Sequence, residues 1–347
     1  MTASSFPTRW LRQNRGFAGA LVLVTLLYIT YNMMHPRGFS TAVLVQNANE
    51  VVAIAFVAMA QTLPVLLGGL DLSVGAIMTL TNCIASEVVN GTPLQILFGM
   101  FLTLLAGTAF GMMNGLIVVY GRIQPIIATL ATGAVAMGLA LWVRPKPGGD
   151  VDEDLNWALT NSVWDFFDTY GLNADAVWLR PFADIPVPLI FLFGIAILVW
   201  VPFRRSVTGR TIYAIGSAEG AAYMSGLPIN RARIAAFTLG GFFAACGGLY
   251  LAIQTSSGNA DIQQAGAYTL NSIAAVVLGG TSLFGGVGSA IGSLVGALIL
   301  RVISFYFRIL SIDPLLQPLI EGLVLLTAVS FGAFRTLRVR NKLDLFR

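Results

Sequence analysis

Charge is scarce in this 347-residue chain: Asp, Glu, Lys and Arg together make up 10% of it, against roughly 25% in a soluble domain. That deficit excludes an ordinary water-soluble globule. Histidine is nearly absent, with His35 alone, and no metal or nucleophile constellation surrounds it, so an enzyme active site is not expected. The two cysteines, Cys83 and Cys246, lie far apart inside apolar runs. They offer neither a disulfide framework nor metal-ligand spacing. Long polar stretches are missing too. The longest, residues 143–185, is too short for a soluble domain.

What is abundant is apolar sequence. Hydrophobic residues form 56% of the chain and the mean hydropathy is +0.79. Windows of about 18–25 apolar residues, enough to span about 30 Å of hydrocarbon, fall at 17–35, 45–68, 72–90, 94–119, 123–142, 186–203, 233–255, 266–282, 287–307 and 315–334. The expectation is an all-α polytopic membrane protein with about ten transmembrane helices. The first window lacks a small-residue cleavage site behind it and reads as a retained span.

Orientation follows from arginine. Basic residues gather before the first window (Arg9, Arg12, Arg15), at Arg122, after residue 203 (Arg204, Arg205, Arg210, Arg231, Arg233) and in the tail (Arg335, Arg338, Arg340, Lys342, Arg347). The 143–185 loop instead carries Asp150, Asp152, Glu153, Asp154, Asp165, Asp168, Asp175 and Asp184. With ten spans, every basic segment and both termini are expected in the cytoplasm, and the acidic loop outside. The net charge of +4 then reflects topology, and nucleic acid is not an expected partner. The domain plan is a cytoplasmic segment 1–16, a membrane domain 17–334 and a tail 335–347, with a periplasmic loop 143–185 and a cytoplasmic segment 204–233.

Three segments interrupt the apolar runs. Gly68-Gly69-Leu70-Asp71-Leu72-Ser73-Val74-Gly75 follows Pro64 and reads as a broken helix with Asp71 or Ser73 capping the new start. Such a break is tolerated only where protein buries it or where it lines a cavity, so it reads either as part of a translocation path or as a helix cap. Gly279–Gly286 allows a tight re-entry; without a following Gly-Lys-Ser/Thr it is not a phosphate loop. The third, Thr208–Arg233, holds Ala218, Ala221, Ala222 and Ser225 at helical spacing and ends at Gly226 and Pro228. Small side chains on a short cytoplasmic helix would let a soluble motor approach closely, and a bulky residue at Ala222 is expected to block it. Two glycine ladders, Gly107, Gly111, Gly115 and Gly288, Gly292, Gly296, read either as the mark of an inverted repeat or as ordinary small-residue packing.

These segments carry a resemblance. Gly68–Gly75, Asn114–Val118 with Gln124–Leu130, Thr208–Gly226 and Leu278–Gly286 occur in the order found in permease subunits of bacterial ABC importers for monosaccharides, the ribose/xylose/galactose type. The chain resembles that family over roughly residues 45–300. Ile126, Met137, Ser217 and Val287 depart from its usual pattern of Phe, Arg, Asn and Arg. The resemblance implies a bacterial inner-membrane location and a coupling helix formed by Ser217, Ala218, Glu219, Gly220, Ala221, Ala222, Tyr223, Met224, Ser225 and Gly226. It also implies an ATP-binding cassette partner that holds ATP and magnesium, a periplasmic sugar-binding protein and a second permease copy, identical or related. No cofactor is expected on this chain.

A neutral polyhydroxylated substrate needs amides and hydroxyls along its path. Asn47, Asn49, Gln61, Asp71, Ser73 and Asn114 are the candidates, with helix–helix hydrogen bonding as the competing role. Charges inside apolar runs are costly and so mark candidates by default: Glu50, Glu87, Asp313, Glu321, Arg301 and Arg308. A secondary transporter could use Glu50, Asp71 and Glu87 as ion ligands, and a sister permease could carry a branched amino acid. With Trp157, Trp164, Phe166, Phe167, Tyr170 and Trp178, the acidic loop would form an interfacial helix seated at the headgroups or dock the binding protein.

Overall fold

The structure, a computed structural model, describes residues 15–316 and scattered positions from 318 to 330. The expected terminal tails, Glu321 and much of the 315–334 window lie outside the described residues. In chain order the helices are α1 (Arg15–Met34), α2 (Thr41–Leu66), α3 (Val74–Val88), α4 (Pro93–Tyr120), α5 (Pro125–Val143), α6 (Glu153–Thr160), α7 (Val163–Thr169), α8 (Val187–Arg205), α9 (Val207–Met224), α10 (Ile229–Thr255), α11 (Ile262–Leu278) and α12 (Ala290–Ile309). Their starts are set by capping residues. Ser40, Ser206, Asp261 and Ser289 each accept a backbone N–H of the following turn, and Thr92 forms a capping box with Gln95 ahead of Pro93.

Each apolar window but the last coincides with one helix. Seven of these helices are long and apolar enough to cross a membrane: α1, α2, α4, α5, α8, α10 and α12. Helix α3 has 15 residues and α11 has 17, short of the roughly 20 needed to span hydrocarbon. For α3 the shortness follows from the break before it.

Helix α10 lies at the centre, against α2, α3 and α4, while α2 packs on α10, α11 and α12. The α4–α10 contact is made backbone to backbone: a Cβ on Gly111 would stand 2.3 Å from the Phe237 carbonyl oxygen and 2.8 Å from Gly241 Cα. Gly292 and Gly296 approach Gly279 and Ala275 on α11 in the same way. Gly288, the expected first rung of that ladder, precedes the helix at φ +146 and belongs to a turn. A hydrogen bond between the Thr62 and Ser293 hydroxyls, 2.7 Å and buried, ties α2 to α12.

Alternation of the helices sorts the loops into two ends. The basic end gathers Arg204, Arg205, Arg210, Arg231 and Arg233 with the Gly68 and Gly280 turns. The acidic end is covered by residues 144–186, which fold into α6, α7 and a 3-10 turn at Arg180–Phe182. This cap has its own small core of Val163, Leu179 and Val187 with Phe166 and Phe167. It is stapled down by Gly148 N–H to the Gly258 carbonyl (3.0 Å), Asp150 N–H to Ser86 (3.1 Å) and Asp152 N–H to Val89 (3.1 Å). An ion pair from Arg144 to Glu87 (2.5 Å) closes the same corner.

Candidate functional site

The break between α2 and α3 is held by side chains from four other helical positions. Helix α2 ends with Gly68 at φ +80, a conformation in which a side chain is strained, as the Gly68 and Gly69 N–H groups turn back to Val65 and Pro64. Asp71 Oδ1 then accepts from the Ser73 N–H (2.8 Å) and the Ser73 hydroxyl (2.5 Å). The same hydroxyl accepts from Asn114 Nδ2 on α4 at 2.8 Å. With its amide nitrogen facing the Asp71 carbonyl (2.8 Å) and its oxygen facing the Asp71 N–H (3.3 Å), Gln61 closes the loop backbone from α2. Thr129 of α5 accepts the Leu72 N–H at 2.9 Å, and Thr269 of α11 accepts the Gly75 N–H at 3.2 Å.

Asp71, Ser73, Gln61 and Asn114 are all buried. Asp71 therefore caps the new helix start. Ser73, which occupies the N-cap position, makes no side-chain cap bond and instead bridges Asp71 to Asn114. Asp71 Oδ2 and Asn114 Oδ1 are buried and without hydrogen-bond partners.

The break is touched from the basic end by α9. This helix begins at Val207, ten residues before the expected docking segment, and is divided at Ala218, whose extended backbone (φ −163, ψ 93) separates an inner part from a short outer turn, Glu219–Met224. Gly216, the last residue but one of the inner part, is wedged between two other motifs. A Cβ there would stand 2.0 Å from the Leu66 carbonyl oxygen and 2.3 Å from the Gly286 nitrogen. Gly286 N–H donates to that same Leu66 carbonyl at 3.0 Å. The Tyr213 hydroxyl donates to the Gly288 carbonyl at 2.8 Å. Burial pushes this phenol up from its ordinary range, with the nearby Arg204 cation opposing the rise, so it remains a donor at neutral pH.

Of the segment Ser217–Gly226, nine residues are exposed, and Tyr223 and Met224 are 73% and 85% accessible. Ala222 is the exception: it is 4% exposed and packs into the main core. A bulky residue there would break the fold before it reached any partner. Arg233 of α10 holds the outer turn through Glu219 at 2.6 Å.

The six polar residues singled out in the sequence fall into two groups. Gln61, Asp71, Ser73 and Asn114 meet at the break. Asn47 and Asn49 sit toward the acidic end of α2, with Asn47 and Gln61 apart by roughly 20 Å at about 1.5 Å per residue. Asn49 Oδ1 accepts from the Tyr250 hydroxyl (2.6 Å) and its Nδ2 donates to the Thr160 carbonyl (2.7 Å), joining α2 to α10 and the acidic cap. Asn47 Oδ1 accepts a long bond from Tyr31 (3.4 Å), and its Nδ2 is buried without a partner. Asn49→Ala would leave the buried Tyr250 hydroxyl unpaired, and is expected to cost about 1–3 kcal/mol of stability. A thermal-shift measurement in detergent checks this; an unchanged midpoint would refute a tethering role for Asn49.

Three of the charges in apolar runs, Glu50, Glu87 and Arg308, are paired, whereas Arg301 of α12 has a buried Nε without a partner. Glu50 makes a two-pronged pair with Arg308, and the Arg308 guanidinium also sits over Phe305. Glu87 is held by Arg144. Asp313 is exposed and caps Leu315 N–H. Sequence reasoning missed Thr129, Thr269 and Gly216. Thr269 read as an ordinary threonine of an apolar helix and Thr129 lay inside the Gln124–Leu130 motif without being singled out; only tertiary packing turns them toward the break. Gly216 lay inside a recognised motif, next to the segment singled out.

A helix bundle with a buried break held by side chains of four helices, and an exposed turn joined to it through Gly216, has the make-up of a membrane permease subunit. The chain belongs to the family described as branched-chain amino acid transport system / permease component, whose model matches residues 43–329. It is therefore a transport permease component of the multi-pass inner-membrane kind. It is 32% identical to the ribose import permease of Haemophilus influenzae over 92% of this chain and 93% of that one. It is 33% identical to the ribose import permease of Bacillus subtilis over 90% of each chain. With the D-allose transport system permease of Escherichia coli it shares 28% identity, again over 90% of each. No solved structure matches the chain.

Proposed function

We propose that this chain is the membrane permease of a bacterial ATP-driven importer for a monosaccharide or related polyol. The reading rests on one observation above others: several relatives that match nearly its full length are named for ribose, allose and L-arabinose. None of these names refers to an amino acid, which weighs against the branched amino acid alternative despite the family's description. An ion-driven transporter finds less support, because two of its three candidate ligands, Glu50 and Glu87, are already neutralised by Arg308 and Arg144.

In this reading the basic end and both termini face the cytoplasm and the acidic cap faces the periplasm, by the arginine distribution. The bundle has about ten spans. An inverted repeat relates α2, α3 and α4 to α10, α11 and α12. Exchanging the members of each pair turns the α10–α4, α10–α3 and α3–α4 contacts into α2–α12, α2–α11 and α11–α12 contacts, all of which occur. A partner ATPase carries ATP and magnesium, and docks on Glu219–Met224. A periplasmic protein delivers the sugar, and a second permease copy completes the pathway. Closure of the ATPase pushes the outer turn of α9; Gly216 passes the push to Leu66 and Gly286, and so to the break at Asp71.

Uptake of labelled sugar by the reconstituted complex tests the proposal. Transport is expected to persist when ionophores collapse proton and sodium gradients, and to stop when ATP is withheld from the ATPase side. Transport that follows the ion gradient without ATP would overturn it.

A further inference from the structure

A second polar site stands at the acidic end, far from the break. It is a cavity of about 600 Å³ walled by the start of α2, the end of α10, and the cap helices α6 and α7. That volume lies within the about 300–1,000 Å³ usual for small-molecule sites. Its two carboxylates are already engaged: Glu50 by Arg308, and Asp165 by the Ser162 N–H (3.0 Å) and hydroxyl (2.5 Å). The Asn49 amide is spent on Tyr250 and Thr160. Left without partners among the lining residues are the amides of Gln46 and Gln254 and the indole N–H of Trp157, whose side chain is 56% exposed. Among the described residues, no Lys or Arg lines the cavity.

Two amides offer donors and acceptors together, and an indole adds an apolar face with one donor. We propose that this cavity is an outer holding site for the neutral sugar, with Gln46 and Gln254 bonding hydroxyls and Trp157 packing on a C–H face of the ring. The proposal rests on the sugar-import reading and sharpens it. An amino acid zwitterion would find no cation for its carboxylate among the lining residues, and burying charge unpaired is costly.

The test is saturation-transfer NMR on the full chain in lipid nanodiscs, with D-ribose, D-allose, L-arabinose and L-leucine as probes, beside ATP-driven uptake of the same labelled solutes by the reconstituted complex. At least one sugar is expected to receive transfer and leucine none. The signal should fall about tenfold in Trp157→Ala/Gln254→Ala, the loss that removing several such contacts brings, and persist in Trp178→Ala, an exposed aromatic of the same cap outside the cavity. Gel filtration reports folding, and Gln46→Ala, at an exposed position, takes the place of the double variant should that one aggregate. Sugar uptake without saturation transfer, or a signal unchanged in the variants, overturns the holding site and leaves the importer reading standing. Leucine uptake in place of sugar overturns both.

Discussion

Gly220→Trp leaves the chain folded and ends ATP-driven uptake. A Cβ on Gly220 meets nothing within 4 Å, and the residue is exposed at the start of the outer turn of α9. The indole therefore costs the isolated permease little. It projects into the space that a docked ATPase has to fill, between the outer turn and whatever groove receives Tyr223 and Met224. Tightly packed interfaces tolerate an inserted ring poorly, because their cores match protein interiors in density. Capture of the ATPase by the tagged permease is expected to drop at least tenfold, with uptake at background and gel-filtration behaviour unchanged. Uptake at the wild-type rate would show that the motor docks elsewhere. Ala222→Trp is the wrong variant for this purpose, since Ala222 is buried in the core and its loss of transport would report misfolding.

The second large effect is expected from a single methyl group. Gly216→Ala places a Cβ 2.0 Å from the Leu66 carbonyl oxygen and 2.3 Å from the Gly286 nitrogen. Both are backbone atoms and cannot swing aside as a long side chain would. The junction must open, at a cost at or above the upper end of the about 1–3 kcal/mol typical of overpacking, and the Leu66–Gly286 hydrogen bond goes with it. The exposed face of Glu219–Met224 is untouched, so the ATPase is expected to be captured normally. Uptake should fall more than tenfold while ATP hydrolysis continues, which is the mark of a broken transmission. Parallel loss of capture and uptake would instead mean that the junction merely supports the docking turn.

Much of this was readable in the residues, for reasons that are local. Nine apolar windows mark nine helices because lipid-length apolar runs and their Ser, Thr and Asp caps are properties of contiguous sequence. The break at Gly68–Ser73 and the stop at Gly226 and Pro228 were likewise signalled by backbone chemistry. What stayed hidden was set by partners distant in the chain. Whether Ser73 caps its own helix or bridges Asp71 to Asn114 depends on α4, 41 residues away. The burial of Ala222 amid exposed neighbours depends on how the outer turn rests on the core. The ion pair that binds Glu50 spans 258 residues. The acidic cap was open to an interfacial helix, but its division into two short helices, capped by Asp152 and Ser162, was not foreseen, because charge and aromatics dominate its composition.

One rod joins the two ends of the molecule. Helix α3 begins at the break beside Asp71 and finishes at Ser86, Glu87 and Val89, where the acidic cap is stapled on. Over its 15 residues it is stiff and roughly 22 Å long at about 1.5 Å per residue. Thermodynamic reciprocity then applies to the whole chain: if a docked ATPase changes the affinity of the outer cavity by some factor, an occupied cavity changes the affinity for the ATPase by the same factor. A sugar waiting outside would thus announce itself to the motor within.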